Sequence, residues 1–336
     1  MTTPSKAFAF LAISILCLAD SVAMAQPFQD RTDVKEFIHM MSRDHDFDET
    51  ELTTLFAHVQ PSEKIIAAIT RPAEGKPWYD YRPIFLTEKR ITGGVKFWDQ
   101  YQKELERAQQ RFGVPAQIVT AIIGVETYYG RHKGRYRVMD SLSTLAFNYP
   151  KRGKFFRSEL AQFLLLSREE KRDPLSFKGS YAGAMGMAQF ISSSYRSYAV
   201  DFDGDQHRDL WDSPSDAIGS VANYLSRHGW VTGARVTSTA VVHGDGYKKL
   251  VDLGLKPKTS IGEIRSHGIE ITQPLPDDSL AALLAFETRQ GQEFWVGLKN
   301  FYVITRYNHS PLYAMAVYQL GEEIRERRAH LALDLP

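Results

Sequence analysis

Glu126 stands where a carboxyl group could hold a proton near neutral pH. It follows directly after an apolar helical stripe that consists of Ile118, Ala121, Ile122 and Val125. We expect the helix to end at Gly130. Two effects then favour the protonated form of Glu126: partial desolvation of the carboxyl group and its position near the negative end of the helix dipole. General acid catalysis requires such a proton donor. The alternative is a surface glutamate paired with Arg131 or Lys133.

A second segment, residues 179–190, combines small residues with a single amide. Glycines at 179, 183 and 186 let the backbone run close to a ligand or to a neighbouring helix. Gln189 follows among Met and Phe, where a buried amide must find hydrogen-bond partners. A sugar hydroxyl or N-acetyl group is one candidate partner. The alternative is glycine-mediated packing around a core glutamine that is bonded within the protein.

Five motifs contain or accompany these segments. They are GVETYYG at 124–130, NYP at 148–150, GAMG with Gln-Phe at 183–190, GSVANY at 219–224 and ITRYNHS at 304–310. In this order they resemble the membrane-bound lytic murein transglycosylase B family, and the resemblance runs from about residue 37 to residue 319. It implies a mainly α fold: a lysozyme-like catalytic domain with an N-terminal helical region and a small inserted β-rich domain.

The resemblance also implies a reaction, in which a carbon–oxygen lyase cleaves the MurNAc-β-1,4-GlcNAc bond of peptidoglycan. Glu126 would protonate the glycosidic oxygen and then, as carboxylate, take the proton from the muramoyl C6 hydroxyl. A 1,6-anhydro ring forms without water, so one carboxylate suffices, whereas hydrolytic glycosidases generally use two. The residues implied for the saccharide groove are Ser180, Gln189, Tyr224, Tyr307, Asn308 and Tyr81.

An acidic loop follows the spacing of an EF-hand. Its positions 1, 3, 5, 7, 9 and 12 are Asp201, Asp203, Asp205, His207, Asp209 and Asp212. The turn glycine is replaced by Gln206 and the usual glutamate by the shorter Asp212, which favours low affinity. Because the family has such a loop, we expect a structural Ca²⁺ held by Asp201, Asp203, Asp205, Asp212 and the backbone carbonyl of His207. A solvated acidic turn is the alternative, and no cofactor is expected for catalysis.

The N-terminus is typical of a signal peptide cut after Ala25. Lys6 precedes an apolar run, residues 7–19, which is shorter than the roughly 20 residues that cross a bilayer, and Ala-Met-Ala follows. We expect periplasmic export. A lipid anchor on Cys17, the only cysteine, is not expected because Ile15 and Leu16 precede it. Removing 25 of 336 residues leaves 311 without cysteine, which excludes thiol nucleophiles, zinc–thiolate sites and disulfides.

Charge and periodicity set the expected organisation and partners. A net charge of +1 provides no global field for nucleic acid. Eight basic residues and one acid between Arg131 and Arg157 form a local patch, suited to peptidoglycan carboxylates, to anionic lipid or to solvent alone. We expect a monomer that acts on glycan strands, with cell-wall synthesis or divisome proteins as candidate partners. The expected regions are 26–83 (N-terminal helical), 84–230 with 299–336 (catalytic core) and 231–298 (inserted, β-rich).

Two other functions remain open at this stage. A muramidase would hydrolyse the same bond with water, and Asp140 or another acid opposite Glu126 would favour it. The second alternative is a calcium-stabilised protein that binds the cell wall without catalysis. A groove that only binds sugar does not need a carboxyl group with a raised pKa, which argues against this alternative.

Overall fold

The computed structural model describes residues 26–71 and 75–333, and the predicted signal peptide lies outside these ranges. Within them the helices are α1 Thr32–His45, α2 Glu49–Ala57, α3 Glu63–Thr70, α4 Trp78–Phe85, α5 Glu88–Gln100, α6 Gln102–Phe112, α7 Ala116–Thr127, α8 Val138–Asn148, α9 Gly153–Glu169, α10 Ser192–Tyr198, α11 Pro214–Arg227, α12 Tyr247–Val251, α13 Ile261–Ser266, α14 Lys299–Tyr307 and α15 Pro311–Leu333. Short 3₁₀ turns are Phe28–Asp30, Pro150–Arg152 and Pro174–Ser176. No described helix is long and apolar enough to span a bilayer.

The first compact unit ends at Ala57 and contains α1 and α2. Its core forms around Phe56, which is fully buried. The Phe37 and Phe56 rings pack edge to face with their centroids 5.9 Å apart. Phe28 stacks on the Phe56 ring at a centroid distance of 6.4 Å. The apolar spacing predicted for this region is therefore a true helical pattern.

Helix α7 lies in the interior of the second unit, residues 58–333. Ten of its twelve residues are buried, as expected for a helix that is apolar on nearly every side. Gly321 of α15 lies against α7, where an added Cβ would come within 3.0 Å of the Gln117 carbonyl oxygen. Gly94 of α5 is equally confined, since its Cβ would lie 2.7 Å from the Tyr129 hydroxyl. These small residues let two helices approach the one that carries Glu126.

The antiparallel sheet of the second unit comes from the region predicted to be β-rich. Its strands are β3 Thr237–Val242, β4 Thr259–Ser260, β5 Ile269–Ile271, β6 Leu280–Thr288 and β7 Gly291–Gly297, in the order β4-β6-β7-β3-β5. Strands β6 and β7 form a hairpin that pairs Thr288 with Gly291. The sheet and helices α12 and α13 share an apolar core that includes Ile261, Leu283 and Val296. A separate short ladder joins β1 Tyr136–Arg137 to β2 Lys178–Gly179.

Helix α4 connects the sheet to the helical core. Trp78 is 2% exposed, and its ring packs against Phe286 of β6 at 5.3 Å. The Arg82 guanidinium donates to the side-chain oxygen of Gln319 in α15 at 2.7 Å. The expected N-terminal region extends to residue 83, whereas the first compact unit ends at Ala57 because α3 packs on α8 and α4 packs on α15. The domain boundaries stay a prediction.

Candidate active site

The end of helix α7 fixes the position of Glu126. The helix stops at Thr127, because Tyr128, Tyr129 and Gly130 all adopt left-handed backbone conformations with φ of 53°, 60° and 82°. The end expected at Gly130 is therefore wrong: the left-handed run begins two residues earlier. The Thr127 hydroxyl accepts the Gly130 N–H at 3.0 Å and lies 3.1 Å from the Met187 carbonyl oxygen. This contact joins the helix end to segment 179–190.

Tyr129 anchors the same turn. Its ring lies where an added Cβ on Gly124 would come within 2.7 Å, so glycine is needed there for close approach. Its hydroxyl donates to the carbonyl oxygen of Arg90 in α5 at 2.7 Å. Helices α5 and α7 are thereby held together next to the carboxyl group.

Glu126 is half-buried, and its carboxyl group bonds to a tyrosine. The Tyr313 hydroxyl donates to Oε1 at 2.7 Å. Burial raises the pKa of Glu126 to about 7, and this hydrogen bond acts in the opposite direction by favouring the carboxylate. Helices α7 and α15 run antiparallel, so contact between Gly321 and Gln117 at one end brings Tyr313 to Glu126 at the other.

The alternative of a surface ion pair for Glu126 is wrong. The Lys133 ammonium donates instead to the Trp211 carbonyl oxygen at 2.6 Å and to Asp212 at 3.0 Å. The Arg131 guanidinium lies 4.9 Å from the centroid of the Tyr128 ring. Both cations of the predicted pair therefore have other partners.

Two of the tyrosines implied for the groove lie beside the hydrogen-bonded pair of Glu126 and Tyr313. Tyr307 stacks nearly parallel to Tyr313, with ring centroids 6.4 Å apart and planes inclined by 8°. Tyr224 meets the edge of Tyr307 at 4.8 Å. Their hydroxyls donate to backbone, Tyr307 to Ala188 and Tyr224 to Arg306, each at 2.6 Å. The rings are thus fixed in orientation, and apolar sugar faces suit such rings.

Tyr81 also lies near the pair of Glu126 and Tyr313. Helix α4, which carries Tyr81, packs against α15, which carries Tyr313. Burial is the main cause of the raised pKa of Tyr313, and Tyr81 acts in the same direction. Its ring packs between Trp78 at 6.4 Å and Phe85 at 5.1 Å. The structure therefore brings Tyr81, Tyr224 and Tyr307 to one place around Glu126 and Tyr313.

The polar residues implied for the groove make local hydrogen bonds. The Ser180 hydroxyl accepts the N–H groups of Ala182 at 3.2 Å and Ala184 at 3.0 Å. The Gln189 amide donates to the carbonyl oxygens of Gly186 at 2.9 Å and Lys133 at 3.3 Å. Exposed Asn308 accepts the Ser310 N–H at the start of α15. Each side chain thus holds a turn, and sugar contact by these three residues stays a prediction.

Asp140, the acid considered for a water-using mechanism, has partners of its own. Arg137 donates to both of its oxygens, at 2.8 and 2.7 Å, and the Gln60 N–H donates to Oδ1 at 2.9 Å. The pKa of Glu126 is raised by burial and lowered by the Tyr313 hydrogen bond. Asp140 is therefore engaged by Arg137 and by backbone, whereas the partner of Glu126 is Tyr313.

The acidic loop brings together three of its predicted ligands. Asp201, Asp203 and Asp205 offer carboxylate oxygens that all lie within 4.8 Å of one another. Asp212 instead pairs with Lys133 at 3.0 Å, and the N–H of exposed His207 donates to Asp205 at 2.8 Å. Three convergent carboxylates fit the oxygen ligands preferred by a hard divalent cation.

Sequence and structure comparisons then identify the family. A family model described as a transglycosylase SLT domain matches residues 29–322. The chain belongs to the transglycosylase SLT family. This transglycosylase is 44% identical over 311 residues to membrane-bound lytic murein transglycosylase B of Escherichia coli strain K12, covering 90% of this chain and 85% of the relative.

Solved structures agree with this assignment. Catenated lytic transglycosylase SltB1 of Pseudomonas aeruginosa matches with a TM-score of 0.86 and 52% identity, covering 90% of the transglycosylase and 99% of SltB1. Escherichia coli Slt35 in complex with calcium matches with a TM-score of 0.82 and 44% identity, covering 89% and 95% of the two chains. The predicted family, lysozyme-like fold and lytic transglycosylase class are confirmed.

Two residues of this transglycosylase escaped the sequence analysis. Tyr313 lies 187 positions from Glu126, and no local pattern connects them. Asp216 is fully buried, and its carboxylate accepts the N–H groups of Phe202 at 2.7 Å, Asp203 at 3.3 Å and Asp209 at 2.8 Å. Burial raises its pKa to about 6. The signal for Asp216 is Ser213 three residues earlier, which caps α11 by accepting the Asp216 N–H.

Proposed function

We propose that this peptidoglycan lytic transglycosylase cleaves the MurNAc-β-1,4-GlcNAc bond with Glu126 as both acid and base. The protonated carboxyl donates to the glycosidic oxygen as the bond from C1 of MurNAc breaks. The carboxylate left behind then accepts the proton of the C6 hydroxyl, whose oxygen bonds to C1 and closes the 1,6-anhydro ring. The proton returns to Glu126, so no water is consumed and the enzyme ends in its starting state.

The observation that carries this proposal is the environment of Glu126. A pKa raised to about 7 by burial leaves substantial populations of both protonation states at neutral pH. The Tyr313 hydroxyl, 2.7 Å away, fixes the orientation of the carboxyl group and stabilises its ionised form. A single group can therefore give one proton to the leaving oxygen and take another from the C6 hydroxyl, and Asp140 is already held by Arg137.

Digestion of purified sacculi in H₂¹⁸O tests the proposal. The expected products have 1,6-anhydro ends without ¹⁸O by mass spectrometry, and Glu126→Gln releases none. Reducing ends that carry ¹⁸O would show hydrolysis and contradict the proposed ring closure. Near-normal turnover by Glu126→Gln would contradict the assignment of Glu126. Glu36→Gln, a change at an exposed glutamate, serves as the matched control.

We infer further that the acidic loop holds a structural Ca²⁺. Support comes from the convergent carboxylates of Asp201, Asp203 and Asp205 and from the similarity to Slt35, which was solved in complex with calcium. The loop is tied to α11 through Ser213, whose hydroxyl donates to Asp203 at 2.6 Å. Release of the Lys133 ion pair would free Asp212 to act as a further ligand. The ion would neutralise clustered charge and leave proton transfer to Glu126.

We also propose export to the periplasm, with glycan strands as the macromolecular partner. The support is the signal-peptide pattern before Gln26 together with the lytic transglycosylase assignment. Absence of a lipid anchor stays a prediction. Intact-mass measurement of protein purified from the periplasm tests both the cleavage site and the absence of a lipid anchor. Cleavage after Ala25 gives an unmodified chain that begins at Gln26. A lipidated N-terminal cysteine would instead add the mass of its acyl chains.

A further inference from the structure

We propose that a second cavity, which has no lining residue in common with the Glu126 site, binds an anionic amphiphile. The ligand class is a single apolar chain or ring system that ends in a carboxylate, sulfonate or phosphate. The cavity has a volume of about 700 Å³ and lies between the start of α14 and the ends of strands β3, β5 and β6. This inference is independent of the catalytic mechanism.

Most of the cavity lining is apolar, and it includes Leu275, Leu298 and Tyr302. Val231 and Leu280 also line the cavity, and they remain 46% and 53% exposed. Isolated exposed aliphatic residues are common, but a cavity of several hundred Å³ with mainly apolar walls is typical of a small-molecule site. An apolar ligand of up to a few tens of atoms would remove this surface from water.

The polar part of the cavity wall is cationic. Arg235, Lys256 and Lys299 line the cavity, and its lining contains no acidic residue. Throughout the described part of the chain, none of these three cations forms an ion pair with Asp or Glu. The Arg235 guanidinium donates to the Gln273 side chain, and within residues 26–71 and 75–333 no carboxylate neutralises these charges. Positive charge of this kind beside apolar walls is complementary to a ligand with an anionic end.

Helix α14 adds to this positive field. Its N-terminus begins at the cavity wall with Leu298 and Lys299, its first turn contains no acidic residue, and no side chain caps it. A lysine at the positive end of a helix dipole is unfavourable, whereas an anion there is stabilised. An anionic headgroup beside Lys299 would therefore satisfy both the lysine and the helix end.

The cavity wall is fixed by a buried side chain. Asn300 is fully buried, and its amide nitrogen donates to the carbonyl oxygens of Val231 and Ala234, both at 2.9 Å. Its amide oxygen accepts the Val231 N–H at 2.8 Å. The segment that lines one side of the cavity is thus held in place without a ligand, which lowers the entropy lost on binding.

Fluorescence titration of the mature chain with 8-anilinonaphthalene-1-sulfonate tests the proposal. We expect one site per chain, from which decanoate displaces the probe at least about tenfold more effectively than decanol or decylammonium. A Lys256→Glu/Lys299→Glu variant is expected to bind probe and decanoate about tenfold more weakly, since each reversal replaces attraction by repulsion. Lys249→Glu, at an exposed lysine outside the cavity, is expected to leave the affinity unchanged.

A filling variant provides an independent test. Ala234→Trp puts an indole at the exposed edge of the cavity and is expected to abolish probe binding while sacculus digestion stays unchanged. Three results would overturn the proposal. They are equal affinity for decanoate and decylammonium, equal affinity of the native chain and the double variant for decanoate, and no binding of the probe to the native chain. Phosphatidylglycerol vesicles distinguish the ligand's source: cosedimentation lost in the double variant supports a bilayer lipid, and decanoate binding without cosedimentation supports a free amphiphile.

Discussion

Replacing Glu126 with glutamine is expected to make the protein more stable while it abolishes catalysis. The pKa of Glu126 is raised from 4.5 to about 7 by burial. In the native state the carboxyl therefore keeps its proton in a pH range where the unfolded chain has released it, so stability falls as pH rises from about 4.5 to 7. At about 1.4 kcal/mol per pH unit, the ionised carboxyl destabilises the native state by roughly 3 kcal/mol above pH 7.

Glutamine keeps the size of the side chain and can still accept the Tyr313 hydrogen bond through its amide oxygen, but it cannot ionise. The expected gain from Glu126→Gln is near zero at pH 4.5 and roughly 3 kcal/mol above pH 7. For a chain of about 300 residues this corresponds to a rise in Tm of about 5 °C.

Thermal unfolding of the native protein and Glu126→Gln, followed by circular dichroism from pH 4.5 to 8.5, measures this difference. Glu36→Gln is the control, since Glu36 is exposed and its replacement is expected to give a Tm difference that does not follow this pH course. A stabilisation by Glu126→Gln that is the same at every pH would refute the argument from burial of the carboxyl. A lower stability of Glu126→Gln than of the native protein above pH 7 would refute it as well.

Further predictions concern the neighbours of Glu126 and the acidic loop. Tyr313→Phe removes the bond that lowers the pKa of Glu126, so the alkaline limb of the digestion rate is expected to move to higher pH; an unchanged pH profile would contradict this role. Gly124→Ala is expected to cost about 1–3 kcal/mol in a denaturant titration, because its Cβ would lie 2.7 Å from the Tyr129 ring, whereas Gly75→Ala meets open space and is expected to cost less. Asp216→Asn places an amide against three backbone N–H groups and is expected to cost about 2 kcal/mol at pH 7, with exposed Asp252→Asn as a near-neutral comparison. Removal of calcium with EDTA is expected to lower the Tm of the native chain but not that of Asp203→Asn/Asp205→Asn; identical melting of the native chain with and without EDTA would argue against a bound ion.

Local sequence patterns predict the parts of the site that lie close together in the chain. The apolar stripe before Glu126 predicts a buried helix, and it favours a carboxyl group with a raised pKa while leaving a surface ion pair open as the alternative. The region predicted to be β-rich, residues 231–298, likewise contains β3. The spacing from Asp201 to Asp205 predicts a cluster of carboxylates.

Contacts between distant segments could not be predicted in this way. Pairing of Tyr313 with Glu126 depends on the antiparallel packing of α7 and α15, which periodicity does not specify. The ion pair of Lys133 with Asp212 withdraws both residues from the partners expected for them, and it arises because the turn after α7 lies beside the acidic loop. The sequence does not indicate the role of Asp216, because an acid near a helix N-terminus is normally solvent-exposed, whereas this one is enclosed by the loop it holds.

The left-handed run of Tyr128, Tyr129 and Gly130 makes the length of helix α7 as important as its composition. One residue inserted just before Glu126 would turn its side chain by about 100° around the helix axis, away from Tyr313. One inserted after it would move the Tyr129 ring out of the space left by Gly124. The number of residues between Gly124 and Gly130 is therefore set by these two contacts, and loop grafts belong beyond Gly130.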